Sequence, residues 1–565
     1  MSTPKVWLTA VVTAAVFAAG PVQAPSSVSL ISIAKDSPSV QRTVSRLQID
    51  VRQELETCFL AFVDRDDMRG LRREGVRFKV IDRKASGREY FLLPVAADDR
   101  SDLERLAGLG QAVQVEPGTA LFWSERADVS SLLPPELPRK ALPDVSILPY
   151  LKAPAAAGVE AAAAVQDPAI EAIASEVSAA NLTNSIQTLQ DFGTRYASTA
   201  ACEAAGDFLY GYFMGLGLDD VRFESFSFSG HVSRNVVATK TGSTYPEDYY
   251  IVCGHYDSTS GASTRLTNAP GADDNASGTA AVMEAARVLA SRELDFSVRF
   301  IAFSAEEWGL YGSQAYAAAA AARGERIHGV INLDMIAYAD AMPEDLEVIV
   351  NGYSQWLAER LRTAANVYAG LATRKIVNAS FTYSDHAPFW DRGYAAMLGI
   401  EDEPIRNPYY HTTNDRLDTL NVTFCRGSAA AALALLAELA QPVRLGYPRT
   451  PVGVEAAAST YRSLFNAVKA VRLSWSPQSD AVGFNVYRST VSHLNYVKLN
   501  EVPVTGLSFD DPGIDISTGY YYAVSAVGPG GLESYLSKES VVPPSVTLNA
   551  SVLSGLLLLR PGAVW

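Results

Sequence analysis

The sequence predicts an α/β protein with two satellites: a strand–helix core over residues 174–445, a smaller α/β domain at 25–130 and a β-sandwich at 446–545. Three observations carry this. Short apolar runs alternate with helical patterns through the middle of the chain, as in sheets covered by helices. A stretch rich in proline and alanine, residues 131–173, reads as a linker ahead of that core. After about residue 450 the texture changes to apolar–polar alternation broken by turn residues, the pattern of a sandwich. At 565 residues the chain is also too long for one hydrophobic core.

Taken in order, the first residues read as an export signal. Lys5 is the only early charge, Val6 to Ala19 is largely apolar, and Val22-Gln23-Ala24 offers a small-residue cleavage site. The run is short for a membrane span, so residues 1–24 are expected to direct a secreted or periplasmic protein. In the domain at 25–130, Phe59 to Val63, Val76 to Ile81 and Glu89 to Pro94 are expected strands, and Asp102 to Leu109 a helix. Set on a breakable linker, this domain fits a propeptide and a permanent accessory domain equally well. In the core, Tyr249 to Gly254, Val298 to Ser304 and Gly329 to Leu333 are expected as buried central strands. Ala204 to Leu216, Ser277 to Ser291 and Ser428 to Leu439 are expected helices. Val471 to Trp475, Gly483 to Arg488 and Tyr520 to Val527 are strands of the last domain, and residues 546–565 form a tail. Trp475, the Tyr-rich strand and the Gly-Pro-Gly-Gly turn at 528–531 make that domain resemble a fibronectin type III module. The resemblance implies a binding or spacing role, toward an unidentified surface or polymer.

Composition narrows the function class. Hydrophobic residues at 48% and charged residues at 19% describe folded protein. A net charge of −15 argues against a nucleic-acid partner, which needs a basic face. No segment after the signal reaches a spanning length without charge, so no membrane span is expected. The four cysteines lie far apart. Cys253, inside an apolar run, is expected as a buried free thiol; if one bridge exists, Cys202 with Cys425 is favoured.

Five segments between residues 255 and 415 carry the chemistry. In His255-Tyr256-Asp257 an imidazole ends a strand, and a carboxylate two positions on shares its side of the chain and can hold the other ring nitrogen. Gly271 to Gly278 holds Asp273 and Asp274 between glycines at a helix start, where they either cap the helix or offer carboxylate oxygens to metal. Glu306 and Glu307 follow a buried strand; such charge is costly unless a cation compensates it. One glutamate can then bind metal while its neighbour takes a proton from water. Asp334 ends an apolar strand, and His411 lies in the polar turn Tyr409 to Asp415. The strand ends of an open α/β sheet are where sites form.

The order His-x-Asp, Gly-x-Asp-Asp-Asn-x-Ser-Gly, Glu-Glu, Asn-Leu-Asp, His-Thr-Thr resembles the zinc aminopeptidase family that includes bacterial leucyl aminopeptidases, the co-catalytic peptidase family twenty-eight. The resemblance implies the zinc exopeptidase fold, a mixed, mostly parallel sheet sandwiched by helices, and two zinc ions. It implies Asp274 as the bridging ligand, His255 and Asp334 on one metal, and Glu307 and His411 on the other. It gives Glu306 as general base toward a water bridging the metals, Asp257 as the support of His255, and a cis bond after Asp274. Asp273 is expected to support its turn rather than to ligate. The expected activity is removal of N-terminal residues from peptides or proteins. A carboxypeptidase or dipeptidase on the same core is the nearest alternative, and a non-catalytic binding protein a further one.

Ser384-Asp385-His386 also resembles a family segment and is expected to wall the site, with Tyr383 a candidate hydrogen-bond donor to the oxyanion. Phe381, Tyr383, Phe389, Trp390, Met397 and Tyr410 either line an apolar pocket or belong to ordinary core. His231, His328 and His493 have no acidic spacing that suggests ligation.

Overall fold

The computed structural model describes residues 28–55, 57–95, 101–125, 133, 139–142, 166–403, 405–462, 467–512, 514–515 and 518–544. The export signal, most of the linker and the tail lie outside the described residues.

The N-terminal part forms two antiparallel four-stranded sheets. One orders as β2-β3-β1-β4, from β1 (Ser29–Ala34), β2 (Asp50–Glu54), β3 (Cys58–Val63) and β4 (Phe78–Asp82). The other orders as β6-β7-β5-β8, from β5 (Tyr90–Pro94), β6 (Gln111–Glu116), β7 (Thr119–Trp123) and β8 (Lys140–Ala141). β6 and β7 meet at Pro117-Gly118. Gly118 takes φ +83, the left-handed value that a Pro-Gly turn of this kind requires. Helix Arg65–Arg73 starts at a capping box, Asp64 accepting from Asp67 N–H while Asp67 accepts from Asp64 N–H.

The central domain is built on one eight-stranded sheet. Its strands are β9 (Asp220–Phe228), β10 (His231–Lys240), β11 (Tyr245–His255), β12 (Phe296–Phe303), β13 (Arg326–Leu333), β14 (Leu346–Val350), β15 (Thr373–Val377) and β16 (Ala396–Ile400). They order as β15-β14-β16-β13-β11-β12-β10-β9. The pairs β12/β11, β11/β13, β13/β16 and β14/β15 are parallel, and β14/β16, β10/β12 and β9/β10 are antiparallel. The sheet is therefore mixed and mostly parallel, with a parallel centre whose residues are buried on both faces. Those strands are apolar because helices cover both sides.

On one face lie helices Gly278–Leu289 and Val422–Ala440, both rich in alanine and nearly wholly buried. Small residues let them approach closely: a Cβ on Gly278 would sit 2.1 Å from Leu333 O. Val422–Ala440 is the one described helix long and apolar enough to cross a membrane, but it packs within the core. On the other face, Phe303, Tyr316 and Phe389 form a second cluster.

The C-terminal domain is a sandwich of two sheets. β17 (Glu455–Arg462), β18 (Ala467–Ser474) and β21 (Ser508–Pro512) form one, in the order β17-β18-β21. β19 (Gly483–Ser489), β20 (Val497–Lys498), β22 (Tyr520–Val527) and β23 (Ser540–Val542) form the other, in the order β20-β19-β22-β23. Val471, Trp475, Val486 and Tyr522 fill its core. It is fixed to the central domain. Asp248 of β11 pairs with Lys538 at 2.8 Å as well as with Arg326 and His328 of β13. The Arg444 guanidinium lies 3.9 Å from the rings of both Tyr447 and Tyr535, and His493 stacks on Trp356 at 4.2 Å.

All four cysteines are free and buried, Cys253 among them. The favoured pairing of Cys202 with Cys425 is thus overturned: Cys202 faces Ser304 at 3.9 Å, and Cys425 sits inside the helix–sheet core.

Candidate metal centre

The C-terminal ends of β11, β12 and β13 deliver His255, the Glu306-Glu307 pair and Asp334 to one edge of the parallel sheet. The turn before helix Gly278–Leu289 delivers Asp274, and the loop after β16 delivers His411. His255 Nε2 lies 3.2 Å from Asp334 Oδ1 and 3.3 Å from Asp274 Oδ1. His411 Nε2 lies 2.9 Å from Asp274 Oδ2 and 3.0 Å from Glu307 Oε2. The two oxygens of Asp274 therefore face two separate imidazoles, each accompanied by one more carboxylate. Glu306 stands aside from these short pairs, 3.9 Å from His255 Nε2.

The supports are specific. His255 Nδ1 donates to the carbonyl of Asp257 at 3.0 Å, while the Asp257 carboxylate is 3.6 Å from the ring. That carboxylate accepts the N–H groups of Glu306 and Glu307, at 3.1 and 3.3 Å. Asp257 thus holds His255 mainly through its main chain and the Glu-Glu turn through its side chain. Ser384 donates to Asp334 Oδ2 at 2.6 Å and accepts from Asn332. Asp273 accepts from Ala337 N–H and Asn407, away from the imidazoles. The Asp274–Asn275 peptide is cis.

Two supports escaped sequence reasoning. Asp415 accepts the N–H groups of Asp273 and Asp274 at 2.8 and 3.0 Å. It lay inside a noted segment, but nothing in its spacing pointed to the turn 141 residues upstream. Arg195, wholly buried, donates to the carbonyls of Leu189, Tyr256, Pro270 and Gly271 at 2.6–3.0 Å. An arginine before an unremarkable tyrosine gave no signal at all.

The electrostatics call for a cation. Burial, reinforced by Asp334 and Glu307, pushes the Glu306 carboxyl well above the ordinary range. Burial and Asp274 push Glu307 up to about 7. Asp274 goes the other way: burial opposes, but His255 and His411 hold it below the ordinary value. Because Nδ1 of His255 donates to a carbonyl, the neutral ring points the Nε2 lone pair at carboxylate oxygens. Such an arrangement is repulsive unless a cation or proton sits between. Glu307 Oε1 and His411 Nδ1 are buried without a hydrogen-bond partner among the described residues. Imidazole nitrogens with carboxylate oxygens are a donor set zinc accepts, so the residues present fit the metal.

The centre opens on a cavity of about 550 Å³. Met335, Phe381, Leu398, Ile400 and Ile405 give it an apolar side, and Tyr410, stacked on His411 with ring centroids 3.7 Å apart, stands beside the ligand groups. Of the six residues left open by the sequence, Phe381, Tyr383 and Tyr410 line this cavity, whereas Phe389 and Met397 are core and Trp390 packs against it. Tyr383 also packs against Tyr90, Leu121 and Leu142 of the N-terminal domain. His386 Nε2 donates to the carbonyl of Phe381 at 3.0 Å, and burial lowers its pKa to about 3. His328 and His493 sit at the C-terminal domain interface, and His231 lies beside Trp308.

Comparison with known proteins places these features. The model of Peptidase family M28 matches residues 235–436. A probable leucine aminopeptidase of Arthroderma otae is 30% identical over 290 residues, covering 49% of this chain and 76% of that protein. A probable aminopeptidase of Saccharomyces cerevisiae is 30% identical over 229 residues, covering 39% of this chain; the chain spans 61% of that relative's length. Among solved structures, the LapA aminopeptidase of Legionella pneumophila superposes with a TM-score of 0.45 at 18% identity, covering 74% of this chain and 99% of that one. From the matched segment, which contains His255 through His411, and the likeness to the Arthroderma protein, the chain belongs to Peptidase family M28.

Proposed function

We propose that the protein is an exported zinc aminopeptidase that holds two zinc ions and removes single residues from the N-termini of peptides. The observation that carries this reading is Asp274, whose two oxygens face His255 and His411 separately, with Glu306 alongside. His255 and Asp334 would hold one zinc, Glu307 and His411 the other, and Asp274 both. Bound zinc would supply Lewis acidity, making water a competent nucleophile near neutral pH and polarising the scissile carbonyl.

The chain's own residues do the rest. Glu306, set apart from the ligand pairs, takes the proton of the attacking water on its carboxylate and returns it to the leaving amine. Tyr383, which lines the cavity, is the candidate donor to the carbonyl oxygen as charge develops there. Asp257 and Ser384 fix the Glu-Glu turn and Asp334, so the acceptors are in place before substrate arrives. The acidic wall around the centre favours a substrate carrying a free ammonium, and the apolar side around Leu398 and Ile400 accepts a large apolar side chain. For the C-terminal domain we favour a fibronectin type III-like spacer, on the strength of its three-plus-four strand arrangement and its fixed contact with the central domain.

The test is hydrolysis of free-amine, N-acetylated and C-terminal-residue substrates by full-length protein, with and without chelator, alongside zinc content by mass spectrometry. Chelator-sensitive cleavage of the free-amine set alone, with two zinc per chain, is the expected result. Cleavage of N-acetylated substrates from the C-terminal end would make it a carboxypeptidase, and a protein without metal or turnover would remove the catalytic reading altogether.

A further inference from the structure

Part of the cavity wall is contributed by the N-terminal domain and not by the peptidase domain. Pro94 of β5 and the tip Pro117-Gly118-Thr119 between β6 and β7 line the same space as Asp274, Glu306 and His411. The tip borders the cavity without filling it. About 550 Å³ remains beside the catalytic groups, and a Cβ built on Gly118 would meet no atom within 4 Å. A blocking segment would occupy that volume; this one bounds it.

The N-terminal domain is also bound tightly enough to serve as a wall. Lys140 of β8, wholly buried, forms a 2.7 Å ion pair with Asp391 of the peptidase domain and donates to Gln53. Arg139 donates to the carbonyl of Glu307, beside a ligand carboxylate. Gln314 donates to the carbonyls of both Ala141 and Gly309. Apolar clusters run across the boundary, one through Leu142 and Tyr383 and another through Phe91 and Tyr311.

We infer that the N-terminal domain is a permanent wall of the substrate cavity, and that its Pro117 tip limits the length of peptide the site admits. The enzyme is then selective for di- and tripeptides over longer chains. This rests on the aminopeptidase reading above. A cavity of this volume lies in the range that encloses a drug-sized ligand, which is the size of a short peptide and not of an extended one.

The experiment is a length series on the zinc-loaded full chain: Leu-Gly, Leu-Gly-Gly and leucine followed by five glycines. The wild-type protein is expected to lose at least tenfold in kcat/KM between the second and third substrates. Pro117→Trp should move that limit inward, the loss on the tripeptide exceeding that on the dipeptide at least tenfold and appearing in KM rather than kcat. Pro94→Tyr, on the neighbouring strand, gives a second reading should the first variant fold poorly. A flat length profile in the wild-type protein, or variants that slow every substrate equally, would overturn the proposal while leaving the aminopeptidase reading intact. A rise in activity on all lengths when the tip is altered would make the domain an inhibitor instead. Failure to cleave any free-amine substrate would defeat both readings.

Discussion

Lys140 and Asp391 are 0% and 3% exposed and only 2.7 Å apart, so the charge on each is compensated mainly by the other, with Arg392 a weaker cation near Asp391. Replacing Lys140 with Met leaves the Asp391 carboxylate buried and unpaired for as long as the N-terminal domain is docked. Truncating one partner of a buried pair costs about 3–5 kcal/mol. The cost falls on the docked state, because Asp391 regains water when the domain leaves. With about 1.4 kcal/mol per factor of ten, attachment should weaken about 100- to 4,000-fold. The assay needs a chain in which docking is not enforced covalently, so a protease site is placed between residues 150 and 160 and cut after purification. Dilution followed by size-exclusion chromatography then reads the concentration at which the halves separate. The cut parent should stay together where the cut Lys140→Met protein comes apart. Adding Asp391→Leu should restore much of the attachment, since an apolar pair can replace a buried ionic one at little cost. If cut Lys140→Met separates at the same concentration as the parent, the pair does not hold the domain and the reasoning fails.

Four further outcomes follow from the geometry. On the proposed mechanism, Glu306→Gln should keep the parent's zinc content by mass spectrometry and lose about 10²–10⁴-fold in kcat, the usual contribution of a general base. Asp274→Asn should reduce metal content at both positions together, because one side chain faces both imidazoles. Arg195→Met removes four hydrogen bonds from a charged donor to buried carbonyls. It should destabilise the central domain by about 4 kcal/mol or more, lowering its calorimetric transition by about 8–16 °C. The last concerns acid. Burial opposes ionisation of Asp248, but His328, Arg326 and Lys538 outweigh it and hold the carboxyl below its ordinary 3.8. A depressed carboxylate contributes stability that is complete above the unfolded value and is lost as pH falls toward the folded one. Melting curves should therefore show the C-terminal domain loosening below about pH 4, and Asp248→Asn should flatten that dependence.

The sequence made the fold class legible because the central strands are buried on both faces. Tyr249 to Gly254 and Val298 to Ser304 are apolar runs that few other structures accommodate. The edge hairpin β9–β10 was not read, since much of β9 is half-buried and its charged residues, such as Arg222 and Glu224, pair with each other and leave no apolar run or clean alternation. β14 to β16 are each only five residues, too short to declare a period. At the site, the residues proposed to bind zinc were reached through the resemblance of five short motifs to a known family, and their histidine and carboxylate chemistry agrees with it. Two supports were not. Arg195 acts on main-chain carbonyls, which every residue has, and Asp415 acts on N–H groups of a distant turn. Met335, Leu398 and Ile400 of the apolar wall carry no mark in the sequence that separates them from core, and they are core on their other sides. Tyr383 lines the cavity and also packs against a domain whose position no local pattern encodes.

The clasp between Asp415 and the Asp273-Asp274 turn bears on when the centre can come into being as the chain is synthesised. His255, Asp274, the two glutamates and Asp334 emerge early, yet His411 and the carboxylate that fixes the Asp274 turn arrive only within the last third of the chain. A nascent or truncated chain ending before them has neither the second imidazole nor a fixed Asp274 turn. Since domains fold as units once their residues are available, competence is withheld until the central domain is complete. A partly made copy lacks the complete cluster of side chains.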